Sequence, residues 1–180
     1  MNRALFYGVG MKSAKFFLFP VLALILSSCA GYHVGSTLPK SVQTVSLEIV
    51  NKTDEPSIEV AVMKALRAEL QMDGRLEVRS KDESDAVLSV TLTKFDLEPL
   101  AYARIDKKPS ALVSEYRMTL TAKAVLSDTQ TGEVILENPV VLGESEFPYV
   151  ADLTSTKRAG LPKAANDLAR KVVSATVTAW

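Results

Sequence analysis

Apolar and polar side chains alternate along three segments of the chain, and this period of two predicts β-strands. The segments cover residues 44–50, 86–92 and 112–126. At about 3.3 Å per residue the third strand would extend for about 50 Å, which is longer than most strands in globular proteins. We therefore expect either a bulge within this strand or an elongated sheet.

The segment that follows predicts a hairpin. Residues 127–133 are rich in turn-forming side chains, and Gly132 can adopt the positive φ that a tight connection requires. The alternation then resumes over residues 134–147, where Pro139 and Gly143 weaken the strand. Proline cannot donate to a central ladder, so this partner strand is expected to bend or to lie at a sheet edge.

Another segment repeats its apolar residues at the spacing of an amphipathic helix. Thr53 or Asp54 is the expected cap, with Pro56 in the first turn, where a missing N–H removes no hydrogen bond. The glycine at position 74 predicts the end of the helix near Met72. The apolar stripe consists of Ile58, Val62, Ala65, Leu66 and Leu70.

A second helix is expected from Asp152, a favourable capping residue, to the C-terminus. Gly160 and Pro162 predict a division into a short first turn and a longer second part. Trp180 is expected to close the core beneath this helix. The apolar stripe consists of Leu161, Ala165, Leu168, Val172 and Ala179.

The order of these elements predicts an α+β fold. We expect a two-layer sandwich, in which a mixed sheet of roughly four strands carries two helices on one face. Residues 96–111 are predicted to be a loop, and Leu76 and Val78 a short additional strand. The sheet face opposite the helices is expected to be polar, and it would carry Ser89, Thr91, Thr93, Glu115, Arg117, Thr119, Thr121 and Lys123.

The N-terminus contains an apolar run of 11 residues, 16–26, preceded by Lys12 and Lys15. This run is too short to span a bilayer, which needs about 20 residues, but it has the length of a signal-peptide core. Met11 would start a complete signal by itself, so either Met1 or Met11 can be the true start. We predict a lipoprotein signal peptide at 1–28, a lipidated tether at 29–42 and one domain at 43–180.

Cys29 is the only cysteine of the chain and directly follows the apolar run. The residues 26–29, Leu-Ser-Ser-Cys, resemble the signal at which bacterial lipoproteins are acylated with fatty acids such as palmitate. Each buried methylene adds about 0.8 kcal/mol of membrane affinity, and two or more chains hold a protein firmly. Ala30 follows where an aspartate would indicate retention at the inner membrane, so the outer membrane is expected. The alternative is an ordinary secretory signal with an incidental cysteine.

The remaining composition argues against catalysis and against nucleic-acid binding. Loss of the signal would leave 18 basic and 21 acidic residues, a balance that does not favour a nucleic-acid partner. His33 is the only histidine, so neither a zinc site nor a histidine-based triad is predicted, and no cofactor-binding motif is present. Glu144 and Glu146 are the best candidate carboxylate pair for a hydrolase. Enzymatic activity is the weaker hypothesis.

Several short strings, in order, resemble the LptE family of lipopolysaccharide-assembly lipoproteins. They begin at the anchor, with the Cys-Ala-Gly-Tyr-His string of residues 29–33, and the resemblance covers nearly all of residues 29–180. The other matching strings are Leu38-Pro39, Asn51-Lys52-Thr53, Glu55-Pro56, "SDAVLSVTL", "SEYRMTLTAKAVLSDTQTGEVI" and "AANDLARKVVSATVTAW".

The resemblance implies a non-catalytic lipoprotein of the outer membrane that faces the periplasm. It would associate with the β-barrel LptD, support assembly of that barrel and help lipopolysaccharide to reach the outer leaflet. Family members are described as contacting lipopolysaccharide through basic residues, and Lys107 and Lys108 lie in the corresponding loop. The alternative is a periplasm-facing lipoprotein that activates or scaffolds a cell-wall or other envelope enzyme. A polar sheet face suits either role.

Overall fold

The computed structural model describes residues 38–39, 41–104, 111–149 and 152–177. All of them belong to Ser36–Trp180, one of two compact units of the chain. The chain forms strand β1, helix α1, the short strand β2, a 3-10 turn, strands β3 to β5 and helix α2. Their bounds are Thr44–Asn51 for β1, Ile58–Asp73 for α1, Glu77–Val78 for β2, Lys81–Glu83 for the turn, Ala86–Arg104 for β3, Ala111–Asp128 for β4, Val134–Pro148 for β5 and Leu153–Val177 for α2.

The five strands form one mixed sheet in the order β2-β1-β3-β4-β5. Strand β1 is parallel to β2 and to β3, whereas β3, β4 and β5 are antiparallel neighbours. The predicted α+β architecture is confirmed, with five strands instead of roughly four, because the two-residue β2 pairs with the start of β1. The difference is small, since β2 adds only an edge.

One face of the sheet forms the core with the two helices. Leu88, Val90 and Leu92 of β3 alternate with polar residues, and Leu120 and Leu126 of β4 do the same. These side chains are buried together with the predicted apolar stripe of α1 and with Leu168 and Val172 of α2. The periodicities of two and of 3.6 therefore identified the same core from the two layers.

The start of α1 differs from the prediction. The helix begins at Ile58, and Ser57 precedes it in the left-handed conformation with φ 66° and without a capping side chain. Pro56 lies before the helix, and Thr53 is drawn instead into a turn around Asn51. The Asn51 Oδ1 accepts from the Thr53 N–H at 2.9 Å, and its Nδ2 donates to the carbonyl of Glu55 at 2.9 Å. These local hydrogen bonds compete successfully with helix capping.

The end of α1 confirms its prediction. Gly74 follows the last helical residue with φ 72°, and its N–H donates to the Leu70 carbonyl at 3.0 Å. A residue with a side chain is strained in this left-handed conformation, so glycine is favoured there.

The predicted loop at residues 96–111 is wrong for most of its length. Strand β3 continues to Arg104, and β4 begins at Ala111 as its paired partner, so only 105–110 connect them. Register shifts occur after Leu92 and around Pro99. These irregularities accommodate Pro99 within the strand. The proline that predicted a loop therefore does not end β3.

The predicted length of β4 required either a bulge within the strand or an elongated sheet, and the structure shows both. The strand is 18 residues long, and register shifts interrupt its pairing with β3 and with β5. The hairpin after it is also as predicted, with Gly132 at φ 72°. Strand β5 lies at the sheet edge, and its register with β4 shifts at Pro139.

Helix α2 is continuous, although a break at Gly160 and Pro162 was expected. Residues on both sides of the proline pack against β5, namely Gly160 before it and Ala164 and Leu168 after it. Gly160 lies directly against the ring of Phe147, and its carbonyl accepts a hydrogen bond from the Ser145 Oγ at 3.0 Å. The residues Ala179 and Trp180 lie outside the described residues.

Candidate functional site

The residues that the sequence singles out as sites are Cys29, Lys107 and Lys108, and all three lie outside the described residues, as does His33. The structure does locate the chain on either side of the two lysines. Arg104 and Ala111 are paired ends of β3 and β4, so Lys107 and Lys108 belong to a six-residue hairpin connection, 105–110.

The polar face of the sheet, defined as the face opposite the helices, is organised in cross-strand rows. In one row Arg117 of β4 lies between Glu98 of β3 and Glu146 of β5. The Arg117 guanidinium contacts the Glu146 carboxylate at 2.6 Å. This hydrogen bond raises the pKa of Arg117, and the charges of Glu144 and Glu98 contribute in the same direction. Glu98 and Glu146 are exposed, and Arg117 is half-buried between them.

Further pairs continue this pattern across the sheet. Lys123 of β4 contacts Glu137 of β5 at 2.5 Å, and the Ser89 hydroxyl of β3 donates to Glu48 of β1 at 3.3 Å. Acidic side chains outnumber basic ones on the face. The acidic members are Glu48, Asp96, Glu98, Glu115, Glu137, Glu144 and Glu146, and the basic members are Lys94, Arg117 and Lys123.

The structure places the candidate carboxylate pair, Glu144 and Glu146, on the edge strand β5. Both side chains are exposed on β5, and Glu146 is engaged by Arg117. Neither residue lines the cleft described below. Among the described residues, no group of three or more His, Cys, Asp or Glu side chains is placed to hold a metal ion.

A cleft of about 400 Å³ opens between the starts of the two helices and the sheet. Phe95 of β3, Met118 of β4 and Ile58 of α1 contribute apolar side chains to its lining. Lys157 of α2 lies at 2.6 Å from the Glu55 carboxylate and 5.5 Å from the centre of the Phe95 ring. The lining is completed by Pro56, Ser57, Thr154, Arg158 and Leu161.

The cleft combines an apolar interior with the Lys157–Glu55 ion pair and with Arg158, which forms no ion pair among the described residues, so it suits an apolar chain whose anionic group reaches Arg158. Sequence reasoning missed it because its lining comes from three parts of the chain that are distant in sequence: residues 55–58, the strands β3 and β4, and the start of α2. The signal was nevertheless present, since Phe95 and Leu97 alternate with Lys94, Asp96 and Glu98. That alternation continues the preceding strand across a bulge.

Large apolar and aromatic side chains are exposed where β3, β4 and β5 extend toward the 105–110 connection. Leu100 is 36% exposed, Tyr102 58% and Tyr149 43%. The rings of Tyr116 and Tyr149 lie with their centres 6.1 Å apart. Such side chains are enriched at protein and lipid contacts. In the ranges that the structure describes, neither helix is long and apolar enough to cross a membrane.

Comparisons with known proteins identify one matching family. The model of one protein family, described as LptE, lipopolysaccharide-assembly, matches residues 42–176. No curated protein sequence matches the chain significantly.

Solved structures resemble the fold at low sequence identity. A single-substitution variant of the PelC dodecamer from Paraburkholderia phytofirmans is 18% identical, with 81% of this chain and 96% of that chain covered and a TM-score of 0.50. The rare lipoprotein B from Shewanella oneidensis is 12% identical, with coverages of 72% and 92% and a TM-score of 0.40. A putative lipoprotein from Caulobacter crescentus CB15 is 13% identical, with coverages of 72% and 88% and a TM-score of 0.47.

Proposed function

The chain belongs to the LptE family of lipopolysaccharide-assembly proteins, and from this premise we propose that it is a non-catalytic lipoprotein of the outer membrane. In this role it associates with an LptD-type β-barrel, supports assembly of that barrel and promotes delivery of lipopolysaccharide to the outer leaflet. The observation that carries the proposal is the family match over residues 42–176, which includes every strand and nearly all of the last helix.

The anchor in this proposal is Cys29, acylated with fatty chains such as palmitate after removal of the signal peptide 1–28. A short tether, 29–42, would hold the domain close to the periplasmic surface of the outer membrane. Several acyl chains would make this attachment stable, because one chain alone gives only reversible binding.

The polar face of the sheet supports contact with a barrel. Large outer-membrane barrels have a polar interior, so a protein within or against the barrel mouth should present charged and hydroxyl groups. The ion-paired rows around Arg117 and Lys123 provide such a surface without exposing the core. The excess of acidic side chains would favour a basic barrel surface.

Lipopolysaccharide would be contacted at the 105–110 connection, where Lys107 and Lys108 would meet its phosphates. Tyr102 lies exposed on the strand that leads into this connection. The cleft beside Lys157 has the chemistry for an acyl chain near an anionic group, and Phe95 on its floor belongs to the same strand. These features give the proposal two surfaces that separate experiments can address.

Co-purification from intact outer membranes tests the barrel partnership. The tagged chain is solubilised in mild detergent, captured and analysed by mass spectrometry, with the Cys29→Ser variant as a control for the anchor. We expect an LptD-type barrel in near-equal amount with the wild type. Recovery of the protein alone, or with a cell-wall enzyme, would overturn the proposal and favour the envelope-enzyme alternative.

A further inference from the structure

The two edges of the sheet differ in whether their backbone N–H and C=O groups form hydrogen bonds. At the β5 edge, side chains of α2 close the strand. The Asp167 carboxylate accepts from the Glu144 N–H at 3.0 Å, and the Lys171 Nζ donates to the Leu142 carbonyl at 2.8 Å. This arrangement prevents another strand from pairing there.

The opposite edge is covered over only part of its length. Strand β2 pairs with Thr44 and Val45 alone, where the Val45 carbonyl accepts from the Arg79 N–H at 3.0 Å. Odd-numbered residues of β1 thus direct their backbone groups away from β3. The N–H and C=O of Leu47 and Ile49 face this open side, and none has a hydrogen-bond partner among the described residues. We call this segment, 47–49, the β1 edge.

A groove of about 470 Å³ lies beside the β1 edge. Its lining contains Ile49 of the strand together with Val60 and Met63 of α1. Val60 is 67% exposed. An extended segment paired with the β1 edge could therefore place alternate side chains against an apolar surface.

Basic side chains outnumber acidic ones in the lining of this groove. Lys64 and Arg67 line it, are exposed, and form no ion pair within the described part of the chain. The one acidic lining residue, Glu59, accepts a hydrogen bond from the Asn51 Nδ2 at 3.0 Å, so the lining holds two cations and one anion. The groove therefore favours a segment that carries a carboxylate.

We propose that the β1 edge and this groove bind an extended, acidic segment of another protein, which adds to the sheet as a strand. Backbone hydrogen bonds to Leu47 and Ile49 would supply affinity, and the apolar lining with Lys64 and Arg67 would supply specificity. A second copy of this chain is a poorer occupant, since it would bring the same two cations to the interface. The inference goes beyond the proposed function, because it involves neither the 105–110 connection nor the polar face.

Hydrogen exchange with a model peptide tests this proposal. The probe is an acetylated peptide of alternating valine and glutamate, with the valine–lysine peptide as the charge control, added to the isotope-labelled full chain. The Leu47 and Ile49 amides should exchange rapidly in the free protein and about tenfold more slowly with the acidic peptide, because they become hydrogen-bonded. The Val50 amide, on the side that faces β3, should not change.

Charge-reversal substitutions test whether the acidic peptide binds in this groove. Lys64→Glu and Arg67→Glu should each weaken binding of the acidic peptide by about tenfold, whereas Lys163→Glu on α2 should have no effect. Absence of binding, or binding that leaves the Leu47 and Ile49 amides unprotected, would overturn the proposal. Protection of these amides in the free chain would also overturn it, and a concentration-dependent dimer with the same protection would identify a second copy as the occupant.

Discussion

Gly143 of β5 lies so close to Leu168 of α2 that a Cβ on the glycine would overlap the leucine side chain and lie 2.6 Å from the Ala164 carbonyl oxygen. The helix therefore crosses the strand at a point where only hydrogen fits. Gly160 repeats the relationship in reverse, since it gives the Phe147 ring room to lie against the helix. The two glycines fix the position of α2 on the sheet.

Gly143→Ala should destabilise the protein by about 1–3 kcal/mol, because the added methyl meets helix backbone, which cannot move without displacing the core. Urea unfolding measures the effect. Glu144→Ala at the neighbouring exposed position is the control and should change stability by less than about 0.5 kcal/mol. Equal unfolding midpoints for Gly143→Ala and the wild type would contradict the close packing.

Asp167 predicts a specific acid sensitivity. Burial would raise the pKa of Asp167, but hydrogen bonds from Lys171, Arg170 and the Glu144 N–H together lower it to about 2. A carboxyl whose folded pKa is depressed stabilises the protein above its ordinary pKa, near 3.8, and loses that contribution as the pH falls toward about 2. Asp167→Asn should therefore be less stable than the wild type by about 2 kcal/mol at neutral pH. Between pH 4 and 2, the stability of the variant should fall less than that of the wild type.

Stability curves against pH measure this difference, with Asp54→Asn at an exposed turn as the control for removal of a charge. A curve for Asp167→Asn that runs parallel to the wild type across the acid range would show that the β5 edge is not closed by this carboxylate.

Leu120 and Thr121 test the orientation of β4, because adjacent residues of a strand point to opposite faces. Leu120 is fully buried in the core, whereas Thr121 lies on the polar face beside Lys94 in the register. Leu120→Asp should unfold the domain, since an unpaired buried carboxylate costs several kcal/mol against a total stability of about 5–15 kcal/mol. Thr121→Asp should cost less than about 1 kcal/mol. Circular dichroism melting of both variants distinguishes them, and similar melting would reverse the assigned faces.

Periodicity predicted the central strands and the apolar face of each helix, because burial of one face imposes a period on the sequence. It failed where local and tertiary effects oppose one another. Pro99 predicts a loop, yet β3 continues through it with register shifts. Pro162 predicts a break, yet α2 is continuous and Gly160 packs on Phe147. Neither compensation is visible along the sequence alone.

The candidate sites divide in the same way. The polar face was predicted from alternation, since Thr119, Thr121 and Lys123 share one side of a strand. The β1 edge and the cleft were not predicted, because each is formed by elements that are distant in sequence. The length of β2 determines how much of β1 stays open, and Lys157 reaches Glu55 across 102 positions of the chain.

Cys29→Ser should abolish labelling of the protein by radioactive palmitate, because the thiol is the proposed acylation site. The variant should accumulate as an unprocessed precursor or as a form released from membranes by salt or alkaline washing. Ser27→Ala, which keeps a small residue before the cysteine, should be labelled like the wild type. Persistent labelling of Cys29→Ser would show that the anchor lies elsewhere.

Lys107 and Lys108 provide the direct test of lipid contact. Reversal of both to glutamate should lower the amount of lipopolysaccharide that co-purifies with the protein by about tenfold, because two attractive phosphate contacts become repulsive. Lys81→Glu with Lys163→Glu, at two exposed positions away from the 105–110 connection, removes the same charge and should retain lipopolysaccharide. The thermal unfolding of both double variants should match the wild type, because the changes lie at solvent-exposed or connecting positions. Retention by the Lys107/Lys108 variant would move the lipid contact to another surface, and the cleft beside Lys157 would then be the next to alter.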